Sequence, residues 1–179
     1  MKRLLAMLMA FGAVALPALA STDSINYASP AGIVHSFYRD LLAAHGHGLA
    51  QSRYFTPRLA NDLAWVEAAE RCTHSAIMDW DPFSGAQVPL KAFTLGASRK
   101  APDSTVRVTV ELRLWKAGKS SVDVDTVKSG TAWRISDFID NSPEGPYSVD
   151  ETLTRQRHAV AAYTKLDHAE RACLAHIPY

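Results

Sequence analysis

Between Ser104 and Asp140 apolar and polar residues alternate with period two, a pattern that no helix satisfies. Successive side chains of a strand point to opposite faces, so Val106, Val108, Val110, Leu112 and Leu114 share one face while Arg107, Thr109, Glu111 and Arg113 share the other. Lys116-Ala117-Gly118-Lys119 turns the chain, Val122 and Val124 resume the alternation against Asp123 and Asp125, and Ser129-Gly130 turns it again into Thr131 to Phe138. A less regular strand is predicted over Val88 to Arg99. The sum is a curled antiparallel sheet of about four strands. Its valine-leucine face is predicted to pack on helices, because five exposed apolar side chains in a row would make an aggregation-prone surface.

The covering helices announce themselves by their starts. Ser29-Pro30 caps a first helix whose stripe is Ile33, Val34, Phe37, Tyr38, Leu41 and Leu42, with Gly46 and Gly48 beyond it as stops. Thr56-Pro57 opens a second helix that carries Leu59, Leu63 and Val66 and runs to Cys72. After the sheet, Ser148-Val-Asp-Glu151 reads as a capping box opening one last helix, with Leu153, Val160, Leu166 and Cys173 on its packed side. Helix, helix, sheet, helix is an α+β pattern.

Residues 1–20 read as a secretory signal peptide: Lys2 and Arg3, an apolar run from Leu4 to Leu16, and small residues before a cut between Ala20 and Ser21. Residues 21–28 then form a flexible leader and residues 29–179 a single α+β domain, 159 residues remaining of 179 after the cut. The expected location is the periplasm. Losing Lys2 and Arg3 leaves 17 basic side chains of 19 against 18 acidic ones, a net charge of −1, which argues against nucleic acid or an anionic membrane as partner. No later apolar run is long enough to insert in a bilayer. In an oxidising compartment the two cysteines, Cys72 and Cys173, are expected to be bridged.

The opening helix around Val34 to Tyr38, the Arg58 to Leu63 segment, the loop Asp81-Pro82-Phe83-Ser84-Gly85-Ala86-Gln87 and the strand Trp133-Arg134-Ile135-Ser136-Asp137 together resemble a secreted bacterial family, the domain of unknown function family 3828. The likeness spans roughly Pro30 to Leu153. It departs where Val88 follows Gln87 in place of an aspartate, and in the cysteine-bearing tail. The resemblance implies the cone-shaped fold shared by nuclear transport factor two-like and cystatin-like domains, and it implies no reaction.

Candidate chemistry is sparse. His45-Gly-His47 is the spacing of a metal pair, but no third ligand follows, and zinc needs three or four, so no metal or other cofactor is implied. Neither a serine nucleophile elbow nor a phosphate-binding glycine loop occurs. Asp79 and Asp81 flank Trp80, placing carboxylates beside aromatic surface near Phe83 and Gln87, although Asp before Pro commonly caps its own turn. Trp133, Ile135 and Asp137 share one face of their strand, which puts Asp137 in the cone or at its rim.

Two functional classes follow. The favoured one is a non-catalytic envelope protein, monomer or homodimer, that binds a small ligand, a peptide or another protein, including the case of an inhibitor or immunity protein. Its contact residues are predicted among Tyr38, Asp79, Asp81, Gln87, Trp115, Trp133 and Asp137. The alternative is a cone-fold enzyme using Asp137 or Asp81, with Tyr38 or His35, for acid-base work on a small substrate.

Overall fold

Ser29 and Thr56 start two helices by the same device. In a computed structural model that describes residues 24–44, 49–78, 81–115, 118–141, 146–162 and 166–178, the Ser29 hydroxyl accepts from Gly32 N at 3.0 Å and Thr56 Oγ1 from Leu59 N at 3.4 Å. Each is followed by proline at the first helical position. Helix α1 spans Pro30–Ala43 and α2 spans Pro57–Thr73, with a single 3-10 turn at Gln51–Arg53 between them. The second ends at His74, whose backbone takes the left-handed conformation (φ 50°).

The sheet has five antiparallel strands in sequence order: β1 Leu90–Lys100, β2 Val106–Leu114, β3 Gly118–Ser129, β4 Ala132–Asp140 and the short β5 Tyr147–Ser148. It is curled and unclosed. Val108, Val110, Leu112 and Leu114 are buried as predicted, with Val122 and Val124, while Val106 at the strand's start is half-buried; on the other face Glu111 and Arg113 are exposed and Arg107 and Thr109 half-buried. Burial of such side chains contributes about 1.5 to 3 kcal/mol each, which fixes the facing of the strands. Helix α1 lies across this inner face against β1 to β4, and α2 packs on β4.

The C-terminal region differs from the single helix the sequence predicts. Helix α3 covers Val149–Ala162, its Glu151 N–H donating to Ser148 Oγ at 3.0 Å, and a separate α4 covers His168–Ala175. A second start signal causes the break: Asp167 accepts from Glu170 N at 2.8 Å while Glu170 accepts from Asp167 N at 2.7 Å, a complete capping box. Leu153 and Leu166 are buried as expected, Val160 packs partly against the core, and Cys173 itself is exposed. The Cys72–Cys173 disulfide ties α4 to the end of α2 across 101 residues of sequence.

One edge of the sheet is closed by distant chain. Trp133 N donates to Tyr27 O at 3.0 Å, Ile135 N to Tyr54 O at 2.9 Å and Thr56 N to Ile135 O at 2.8 Å, and further along β4 Ile139 and Asp140 pair with β5. Residues 24–28 therefore run beside β4, held also by Asn26 N donating to Ser36 Oγ and by the Arg134 guanidinium 4.8 Å from the Tyr27 ring. Ala20, Ser21, His45, Gly46, His47, Gly48, Asp79 and Trp80 lie outside the described residues.

Candidate functional site

The space that a cone fold reserves for a ligand is filled here with rings. Phe37 is surrounded by Tyr38, Tyr54, Phe55, Phe83 and Phe138 at centroid distances of 5.1 to 5.5 Å, mostly edge-on or tilted. Tyr38 is fully buried and its hydroxyl donates to Phe83 O at 2.7 Å. Burial, followed by the nearby Asp81 charge, pushes that phenol well above its ordinary pKa. Tyr54 donates to Asp40 Oδ2 and is itself pushed up to about 12, by burial first and then by that carboxylate.

Asp81 folds its loop around itself. Its Oδ1 accepts from Phe83 N at 3.0 Å, its Oδ2 from the Ser84 hydroxyl at 2.7 Å, and its backbone bridges Ala86. Gly85 completes the reversal at φ +62°, and a Cβ there would come within 2.7 Å of the Asp140 carboxyl. Burial raises the Asp81 pKa against the lowering effect of both hydrogen bonds. Gln87, at the loop's end, is exposed.

Asp137 occupies a different place from the one simple alternation gives it. The β3–β4 register shifts between Asp125 and Thr126, so that Ser136 is an extra residue, and Asp137 faces away from buried Ile135. A one-residue bulge reverses every facing beyond it. Asp137 Oδ1 accepts from Phe138 N at 2.8 Å and from Asp150 N at 2.9 Å, capping α3, and burial raises its pKa. Trp133 is half-buried beside the core, and its ring lies on the inner side with Ile135. Tyr38 and Asp81 thus meet in the inner layer, whereas Asp137 serves a helix start and Trp115 lies on the opposite face.

That opposite, outer face is polar and organised in cross-strand pairs. Arg107 binds Asp125 with two parallel hydrogen bonds of 2.7 and 2.8 Å. Asp123, buried although on this face, accepts from Arg99 at 2.6 Å and from the Thr109 hydroxyl at 2.7 Å. Toward the β2–β3 turn the complementarity stops. Arg113 stands directly opposite Lys119, like charge against like, and neither forms an ion pair among the described residues.

Trp115 follows, 54% exposed, with the Lys91 ammonium 5.1 Å from its ring. It is the exposed large hydrophobic residue among those described. A groove of about 440 Å³ runs beside it, lined by Ala92, Thr94, Glu111, Arg113 and Lys119 among others. Of the predicted contact residues among those described, Trp115 alone lies near this groove, two residues beyond Arg113. Arg113, Lys119 and Lys91 were hidden from sequence reading because their grouping needs the strand register.

A second cleft, about 390 Å³, opens between the end of α2, α3 and α4 and is lined by Ile77, Val160, Leu166, Gln156 and Glu170 among others. Its acidic side chains are taken up by the fold: Glu170 caps α4, and Glu70 behind it accepts from Ile77 N and Met78 N. Among the described residues no three His, Cys, Asp or Glu side chains gather as a metal would require, and no helix is long and apolar enough to cross a membrane. Comparison with protein-family models, with curated proteins and with solved structures gives no match.

Proposed function

We propose that the chain is an exported, non-catalytic envelope protein, related to the domain of unknown function family 3828, that binds an anionic partner on the outer face of its sheet around Trp115. One observation carries the reading: Arg113 and Lys119 oppose each other beside an exposed tryptophan. A like-charge cross-strand pair costs stability unless something negative lies across it, and breaches of local rules of this kind collect at functional sites. The disulfide supports an oxidising compartment. The enzyme alternative rests on the raised Asp81 and Asp137 carboxyls, but Asp81 is engaged in its own turn and Asp137 at a helix start.

The test is capture from envelope extract by the oxidised mature protein, run beside Trp115→Ala and Arg113→Glu. A partner held by the parent at low salt, weakened at high salt and missing from both variants is the expected result. Equal capture by all three proteins overturns the assignment of this face.

A further inference from the structure

The two edges of the sheet are treated differently. The β4 edge is covered in succession by Tyr27, by Tyr54 to Thr56 and by β5. Strand β1, 11 residues long, pairs only with β2, and its other edge has no backbone partner among the described residues. An exposed edge is a template for another strand, and folds normally blunt it. Here the blunting is partial. Extra residues at Lys91 and at Gly96-Ala97 distort the two ends, leaving Ala92 to Leu95 in regular register with Arg113 to Val110.

This short regular stretch is two-faced. Leu90, Phe93 and Leu95 are half-buried on the helix side, where the His35 ring sits 5.5 Å from Phe93. On the outer side Arg113 stands opposite Ala92 with Lys119 beyond it, Lys91 is exposed beside them and Glu111 stands opposite Thr94, while β1 itself carries no acidic residue. A second copy of β1 would set cations against cations. A strand whose residues alternate acidic and apolar would match both sides.

Resting on the proposed anionic-partner face, we infer that the partner is an extended peptide segment of alternating acidic and apolar residues, which adds to the sheet as a strand along the free edge of β1 at Ala92 to Leu95. Main-chain hydrogen bonds then hold it, and the alternating side chains set its register.

The experiment is titration of the oxidised mature protein with a synthetic eight-residue Glu-Val repeat. It is compared with the same peptide N-methylated on alternate residues along one edge, with the edge-reversed N-methylation, and with dextran sulfate as a non-peptide polyanion. Hydrogen exchange at Ala92 to Leu95 is read alongside affinity. Binding of the plain peptide, slowed exchange in that stretch, about tenfold or greater weakening by one N-methylation pattern but not the other, and about tenfold weakening in Lys91→Glu/Lys119→Glu are expected.

Binding that ignores both methylation patterns, or binding of dextran sulfate alone with unchanged β1 exchange, overturns the strand-addition inference while leaving the anionic face in place. Failure of every anion to bind removes both. Leu95→Pro, at a position whose N–H points away from β2 in this register, is the second variant: it is expected to abolish peptide binding with cooperative melting retained at a lowered midpoint, and undiminished binding in a folded Leu95→Pro protein counts against the inference.

Discussion

The two faces of one sheet, built from the same strands and differing by a single residue step, have opposite characters. On the inner face every position is settled by its neighbours: Val110 is 0% exposed, Phe37 touches five rings, and Tyr38 and Asp81 spend their polar atoms within the fold. On the outer face the pairing is satisfied in the middle, at Arg107–Asp125 and Arg99–Asp123, and breaks down toward one end, where Arg113 meets Lys119 beside Trp115. A region in which all local preferences agree is explained by folding alone, and the place where they conflict marks what remains for a partner to supply.

The sharpest way to break this contrast is to substitute adjacent residues. Val110→Asp puts an unpaired charge among buried apolar side chains and is expected to abolish folding, read as loss of cooperative melting and of soluble protein. A soluble, cooperatively melting Val110→Asp would mean that the inner face is not the core.

Reduction of the Cys72–Cys173 disulfide loosens the helix layer without touching the outer face. It is expected to lower stability by about 2 to 4 kcal/mol in denaturant titration, the gain from constraining a long loop in the unfolded chain. Partner capture below the melting temperature should be unchanged.

Asp81→Asn separates the turn from the charge. Asparagine keeps an acceptor for Phe83 N and can donate to Ser84 Oγ. Because burial raises the folded-state pKa of Asp81, its protonation stabilises the fold: that contribution is full below the unfolded carboxylate value and is lost as pH rises through the folded value. The parent protein should therefore lose stability relative to Asp81→Asn from about pH 4 upward, seen as a diverging pair of melting curves. An opposite slope would place Asp81 in a charge-stabilising environment and reopen its catalytic reading.

The smallest effect belongs to Glu111→Ala, one residue from Val110 but exposed, where the expected change in stability is below about 1 kcal/mol by thermal or chemical melting. A larger loss would reveal an outer-face contact of Glu111 that stabilises the fold.

What could be read from the chain follows the same division. The β2 facing, the starts at Ser29-Pro30 and Thr56-Pro57, and the cysteine pair were legible because each depends on local spacing or on a count of two. Ser136 was not, since an extra residue in a strand leaves the composition of the alternation almost unchanged while reversing the facing of Asp137. The second C-terminal start was present as Asp167-His-Ala-Glu170 but merged with the helix before it. Closure of the β4 edge by Tyr27 and Tyr54 depends on contacts about 80 to 106 positions apart, which no periodicity encodes. The outer-face site needed the register that brings Arg113, Lys119 and Lys91 to Trp115.

The central claim, that the inner layer makes the fold and the Trp115 end meets the partner, is tested most directly by measuring melting midpoint and partner capture together in Trp115→Ala and Phe83→Ala. Trp115→Ala should keep the parent midpoint and lose capture. Phe83→Ala, which removes a ring packed against Phe37, Phe55 and Phe138, should lower stability by roughly 3 kcal/mol and still capture the partner below its lowered midpoint. The reverse pattern, with Phe83→Ala melting like the parent but failing to bind and Trp115→Ala binding normally, would contradict the account and move the site to the Asp81 loop.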